Sequence, residues 1–164
     1  MAKPMGNGLP LAVVITRREL VEGFLETERY FNTFGGNQVV AAAGIAVLDV
    51  LRDEGLQENA LHVRAYLRGR LAELMDQDER IGDVRGTGLF VGVEIIRDRA
   101  SQAPASEAAR AIIKELLQQG VLVGITGAGR NLLKIRPPMV FSRENADQLV
   151  DALERALRLT VARR

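Results

Sequence analysis

The chain has 164 residues, 47% of them hydrophobic, with no cysteine and a formal net charge of +1 from 22 basic and 21 acidic side chains. That length and apolar content can bury a core without staples, and the absence of thiols excludes a disulfide framework or a thiolate zinc site. Balanced charge, 4% aromatic content and no tryptophan argue against nucleic acid or a membrane surface as partner. No apolar run is long enough to span a bilayer and no signal-peptide layout opens the chain, so a cytoplasmic protein is expected.

A glycine-bearing stretch, Ala2-Lys3-Pro4-Met5-Gly6-Asn7-Gly8, comes first. Leu9 to Thr16 is rich in valine and isoleucine and reads as a buried strand. A short, partly exposed polar helix is predicted near Arg17 to Gly23. Phe31-Asn32-Thr33-Phe34-Gly35-Gly36-Asn37 reads as a loop, its paired glycines permitting tight turns. A long helix from about Asn37 to Arg52 follows, with Val40, Ala43, Val47 and Leu51 as its apolar stripe and Gly55 as a stop. A second long helix, roughly Gln57 to Met75, carries Leu56, Ala60, Val63, Leu67, Leu71 and Leu74 at intervals of three and four.

The period then changes. Val84, Leu89, Val91, Val93 and Ile95 predict strands broken at Gly86-Thr87-Gly88. A helix over Ser106 to Gln119 stops at Gly120. Strands are expected at Val121 to Ile125 and Leu132 to Ile135, the second ended by Pro137-Pro138. Ser142 is placed as N-cap of the last helix. This order implies an α+β layer, with helices on one face of a small, mostly antiparallel sheet. Residues 1–54 differ in kind from residues 55–164.

Among candidate residues, a lysine can form a Schiff base only if burial or a nearby cation frees its amine from protonation, and Lys3 near a terminus would by itself be a solvated charge. Thr33 beside a helix start suits a phosphate, although such a turn also serves simply to begin a helix. Lys134 and Arg136 share one face of a strand by alternation, which alone describes a solvated strand face. His62 falls off its helix's apolar stripe. Glu22, Glu26 and Glu28 read as surface charge, and no cluster suggests a metal.

Taken together, Lys3 with Gly6-Asn7-Gly8, the apolar run after them and Phe31 to Asn37 resemble the lysine loop and phosphate loop of class III aminotransferases. The resemblance covers essentially the whole chain and also includes Arg85 in Val84-Arg85-Gly86-Thr87-Gly88-Leu89, where it implies support of a turn rather than catalysis. It implies the C-terminal portion of a fold-type-I enzyme using pyridoxal 5'-phosphate: residues 1–54 as the end of the large domain with a connecting helix, and residues 55–164 as the small domain. It further implies Lys3 as the residue that holds the cofactor aldehyde and Thr33 as a contact to the cofactor phosphate of a neighbouring subunit in a homodimer. In the family an arginine near the Pro-Pro pair grips the substrate carboxylate. Here that position is Lys134, with Arg136 two residues on, and lysine cannot reproduce the guanidinium fork.

Lysine there, with Pro137-Pro138-Met139 and Gly129-Arg130-Asn131, is similar to the branch that includes ethanolamine-phosphate phospho-lyase. The parent activity is expected to be amino transfer between an amine or amino acid and a keto acid, or alternatively elimination of phosphate from an amino-phosphate. The portion alone is expected to be inactive. A non-enzymatic α+β interaction domain, with Lys3 and Thr33 incidental, is the competing class.

Overall fold

The computed structural model describes the backbone of residues 3–161 and the side chains of residues 4–160. The chain divides into two compact units, residues 1–55 and residues 56–164.

The first unit opens with a 3-10 turn, Lys3–Met5. A tight turn follows, in which Leu9 N–H donates to the Gly6 carbonyl at 3.1 Å. Only glycine fits at position 6, since a Cβ there would stand 2.1 Å from the Leu9 oxygen. The strand predicted over Leu9 to Thr16 is not formed: residues 10–17 are irregular, and Val14 and Ile15 are exposed. A strand exists through its neighbour, and the described residues supply no strand alongside this one.

Helix α1 (Arg18–Thr27) runs four residues beyond its predicted end. Helix α2 (Gln38–Asp53) is capped by Asn37, whose side chain accepts from the Val39 and Val40 amides. Its predicted stripe of Val40, Ala43, Val47 and Leu51 is half-buried. Gly44 is the fully buried residue of this helix, and a Cβ there would lie 2.6 Å from Leu11 Cδ2.

The second unit is built on α3 (Leu56–Gln77), β1 (Ile81–Thr87), β2 (Phe90–Ile95), α4 (Ser106–Gln118), β3 (Gly124–Thr126), β4 (Leu132–Ile135) and α5 (Arg143–Val161). The four strands form one sheet in the order β1-β2-β4-β3, with every neighbouring pair antiparallel. A two-residue turn at Gly88-Leu89 closes the β1–β2 hairpin, since Thr87 pairs directly with Phe90. Gly86 is obligatory beside it: its φ is +150°, and a Cβ would come within 2.1 Å of the Phe90 oxygen.

One sheet face is the core. Val91, Val93, Ile95, Leu133 and Ile135 are buried there with Ala60, Val63, Leu67, Leu71 and Leu74 of α3, Ile112 and Leu116 of α4, and Leu153 and Leu157 of α5, whereas Leu56, the first residue of the predicted α3 stripe, is half-buried. Leu67 and Leu71 have no exposed surface, so truncating either to alanine costs about 2–5 kcal/mol.

The predicted strand at Val121 to Ile125 is shorter and later than expected. Gly120, at φ +77°, turns the chain out of α4, and Val121 N–H donates to Leu116 O at 2.9 Å. That amide serves the helix end and is lost to a ladder. Ser142 caps α5 as predicted, its hydroxyl accepting from Asn145 N–H at 3.2 Å.

Arg80 closes the far end of the unit. Its guanidinium forks onto Asp78 at 2.9 and 2.6 Å and reaches Leu157 O at 2.8 Å and Thr160 Oγ1 at 3.1 Å. The entrance to β1 is thereby tied to the last turn of α5. No helix among the described residues is long and apolar enough to cross a membrane.

Candidate functional site

The candidate residues fall into two groups. Lys3 and Thr33 lie in the first unit, whereas Lys134 and Arg136 lie in the second. The backbone of Lys3 starts the 3-10 turn, and its side chain lies outside the described residues.

Thr33 belongs to an exposed loop that its flanking asparagines hold in shape. Asn32 Oδ1 accepts from the Phe34 and Gly35 amides, each at 3.1 Å. Asn37 Oδ1 takes the Val39 and Val40 amides at 3.0 and 3.1 Å. Two of the donors that a helix start could offer an anion are therefore already used. The Thr33 hydroxyl and the Gly36 amide have no hydrogen-bond partner among the described residues. A hydroxyl and a backbone amide turned to solvent on one loop are a donor set that suits the oxygens of a phosphate group.

Lys134 and Arg136 stand on the sheet face opposite the core. Alternation along the strands places Asp83, Arg85, Phe90, Gly92, Glu94, Gly124, Thr126 and Leu132 there as well. Lys134 sits in mid-sheet, paired across β2 with Gly92 and across β3 with Gly124. Arg136 is just beyond β4, its guanidinium carbon 5.9 Å from the centroid of the Phe90 ring, which confirms that it lies on the open face. Lys134 and Arg136 thus share one sheet face, as their spacing predicts.

Charge on this face is unevenly neutralised. Arg85 bonds to Asp83 at 2.6 Å and also to Glu94. The Glu94 carboxylate, then that of Asp83, raise the already high pKa of this guanidinium. Glu94 also accepts from Asn131 Nδ2 at 3.4 Å. Lys134 and Arg136 have no carboxylate partner among the described residues. Phe90, Gly92, Gly124 and Glu94 were not singled out as site residues by the sequence reading. Their signal lay in the alternation of β2 and in glycine opposite lysine, which becomes visible only when the register is known.

Residues 1–157 match the family model for class-III aminotransferases. The chain belongs to this family. Among curated class-III relatives, the mitochondrial alanine–glyoxylate aminotransferase 2 homolog 2 of Arabidopsis thaliana is 46% identical over 154 residues, or 94% of this chain and 32% of the relative. Ethanolamine-phosphate phospho-lyase homolog 1 of Caenorhabditis elegans is 41% identical over 160 residues, or 97% of this chain and 34% of the relative. A solved phospholyase from Arthrobacter, in complex with phosphoethanolamine, superimposes with a TM-score of 0.89 at 42% identity, covering 96% of this chain and 37% of that one. The chain therefore spans about a third of the length of these relatives. The fold is that of fold-type-I aminotransferases, and the helices and antiparallel sheet of the second unit form a small α+β body, in agreement with the fold class expected from sequence.

Proposed function

We propose that the protein carrying these residues is a class-III enzyme that removes phosphate from a small amino-phosphate. Pyridoxal phosphate, the cofactor of class-III aminotransferases, supplies an electron sink for negative charge at the amine-bearing carbon when bound. Residues 1–54 are read as the end of the cofactor-binding domain with its connecting helix. Lys3 would be the residue that holds the cofactor, and its amine would serve as base for the proton on the amine-bearing carbon. Thr33 donates its hydroxyl to the phosphate of a cofactor held by the neighbouring subunit of a homodimer. Lys134 and Arg136 receive the anionic end of the substrate.

Loss of that proton and departure of phosphate from the adjacent carbon, with the electron pair of its C–O bond, leave an unsaturated amine. Water hydrolyses this product to a carbonyl compound and ammonia.

The observation that carries this reading is Lys134, a point charge at the position where a carboxylate-gripping arginine is expected, accompanied by a second unneutralised cation at Arg136. Its likeness to the Arthrobacter phospholyase supports it. Amino transfer to a keto acid is the second reading, favoured by the 46% identity to the Arabidopsis aminotransferase. Incubation of the full-length protein that carries these residues with pyridoxal phosphate and phosphoethanolamine should release inorganic phosphate and ammonia in equal amounts. Pyruvate formed from alanine and glyoxylate, without phosphate release from the amino-phosphate, would overturn the elimination in favour of transfer. Borohydride reduction in the presence of pyridoxal phosphate should label the peptide containing Lys3, and labelling elsewhere would remove that lysine from its role.

A further inference from the structure

Two features of the open sheet face bear on the cations that stand there. The first is the setting of Arg136. The Asp83 and Glu94 carboxylates of that face are both engaged by Arg85, and Arg136 instead stands over Phe90. Phe90 is itself 53% exposed, so this ring is not placed to fill the core. An aromatic ring orients a guanidinium while leaving its charge uncancelled.

The second feature is the pair of glycines flanking Lys134. Glycine weakens a strand and ordinarily marks a bulge, a bend or a close approach. Neither Gly92 nor Gly124 has a positive φ. A Cβ at Gly92 would meet Leu132 Cδ1 at 3.0 Å, so the packing of Leu132 accounts for that glycine. Nothing comparable accounts for Gly124. The nearest atoms to a Cβ there would be those of Lys134, with Cε at 3.5 Å, which is ordinary contact. Backbone and packing both tolerate a side chain at 124, and the space its absence leaves borders the end of the Lys134 chain.

We infer that Gly124 and Phe90 set the specificity of the anion site at Lys134: the glycine keeps the β3 flank of the ammonium open, and the ring holds Arg136 on the same face as a second donor. The inference rests on the reading that Lys134 receives the anionic end of the substrate. The ligand class it selects is a phosphate monoester. A carboxylate presents two coplanar oxygens and is satisfied by one guanidinium fork. A phosphate monoester carries about −1.5 to −2 charge at neutral pH and three oxygens directed apart, which two cations reached from different sides can share. Gly124 is a specificity-determining residue in this arrangement, and Phe90 is a positioning residue that acts through Arg136.

The test is titration of the isotopically labelled protein with inorganic phosphate, with acetate as comparator, following the amides of Gly92, Gly124 and Lys134 by NMR. Phosphate should shift them saturably and acetate far less, and Lys134→Met should abolish the effect. Gly124→Val should weaken phosphate binding by roughly tenfold, the size expected for one lost charge-assisted hydrogen bond, without lowering the melting temperature. Gly124→Ala, which meets only ordinary contacts, should fold and weaken it less. Phe90→Leu should weaken binding and Phe90→Tyr restore it. Phosphate affinity within twofold of the parent in both Gly124→Val and Phe90→Leu overturns the inference, as does the absence of any shift at Lys134. Binding with the expected variant effects, in a protein that releases no phosphate from an amino-phosphate, supports the subsite while refuting the proposed reaction. Phosphate release whose KM is unchanged by Gly124→Val overturns the subsite and leaves the reaction standing.

Discussion

Replacing Arg80 with methionine should destabilise the second unit, and in a pH-dependent way. Methionine keeps much of the aliphatic stem, so the change removes chiefly the guanidinium. Lost with it are both prongs to Asp78 and the bonds to Leu157 O and Thr160 Oγ1. Both side chains of the ion pair are less than a fifth exposed, at 18% and 19%. Breaking a fully buried pair costs about 3–5 kcal/mol, and the residual exposure here reduces that to roughly 2–3 kcal/mol. For a domain of this size the melting temperature should fall by roughly 10–15 °C.

The pH dependence supplies a second readout. Burial alone would raise the pKa of Asp78, but the Arg80 side-chain and backbone hydrogen bonds outweigh it and hold the carboxyl below its ordinary value. A carboxyl depressed in the folded state contributes stability that is complete above its unfolded pKa, about 3.9, and is lost as pH falls through the folded value. The gap between parent and Arg80→Met should therefore be full at pH 7 and shrink below about pH 4. Urea unfolding at both pH values measures it. A variant within about 0.5 kcal/mol of the parent at pH 7 would refute the assignment, as would a gap of equal size in acid.

Gly86→Ala should disrupt the β1–β2 hairpin, because its Cβ collides with the Phe90 carbonyl, whereas Gly88→Ala, at φ +50° with open space around it, should cost only about 1 kcal/mol. Thermal melts of the two variants should differ clearly, with Gly86→Ala the less stable. Asn131 is 4% exposed, and its amide donates to Ile95 O at 2.8 Å. Asn131→Ala should lose about 1–3 kcal/mol, and faster hydrogen exchange at the β2–β4 junction would report it. Thr33→Val should weaken retention of pyridoxal phosphate by roughly tenfold if the hydroxyl donates to its phosphate. Unchanged cofactor affinity on dialysis would remove Thr33 from the site.

Legibility in the sequence followed how local each determinant was. The spacing of Ala60, Val63, Leu67, Leu71 and Leu74 located α3, because a buried stripe repeats every turn whatever lies opposite. Ser142 and Gly120 marked helix ends, since caps are decided by a few adjacent residues. Leu9 to Thr16 failed as a strand because apolar composition does not provide a neighbour for a ladder. The start of β3 was misplaced because the Val121 amide was claimed by the end of α4. At the candidate site, Lys134 and Arg136 were legible from alternation within one strand. Gly124 and Phe90 were not, since their relation to the two cations depends on register across three strands.

The sheet of the second unit does its structural work through one side only. The residues that hold it to α3, α4 and α5 are interleaved, one for one, with residues that bear no part of that load. Exchanging lysine for arginine, or glycine for a larger residue, on the far side leaves the packed side intact. A lineage can thus retool what this surface recognises by single substitutions while keeping its scaffold, so a transaminase and a phosphate-eliminating enzyme can share nearly the same backbone.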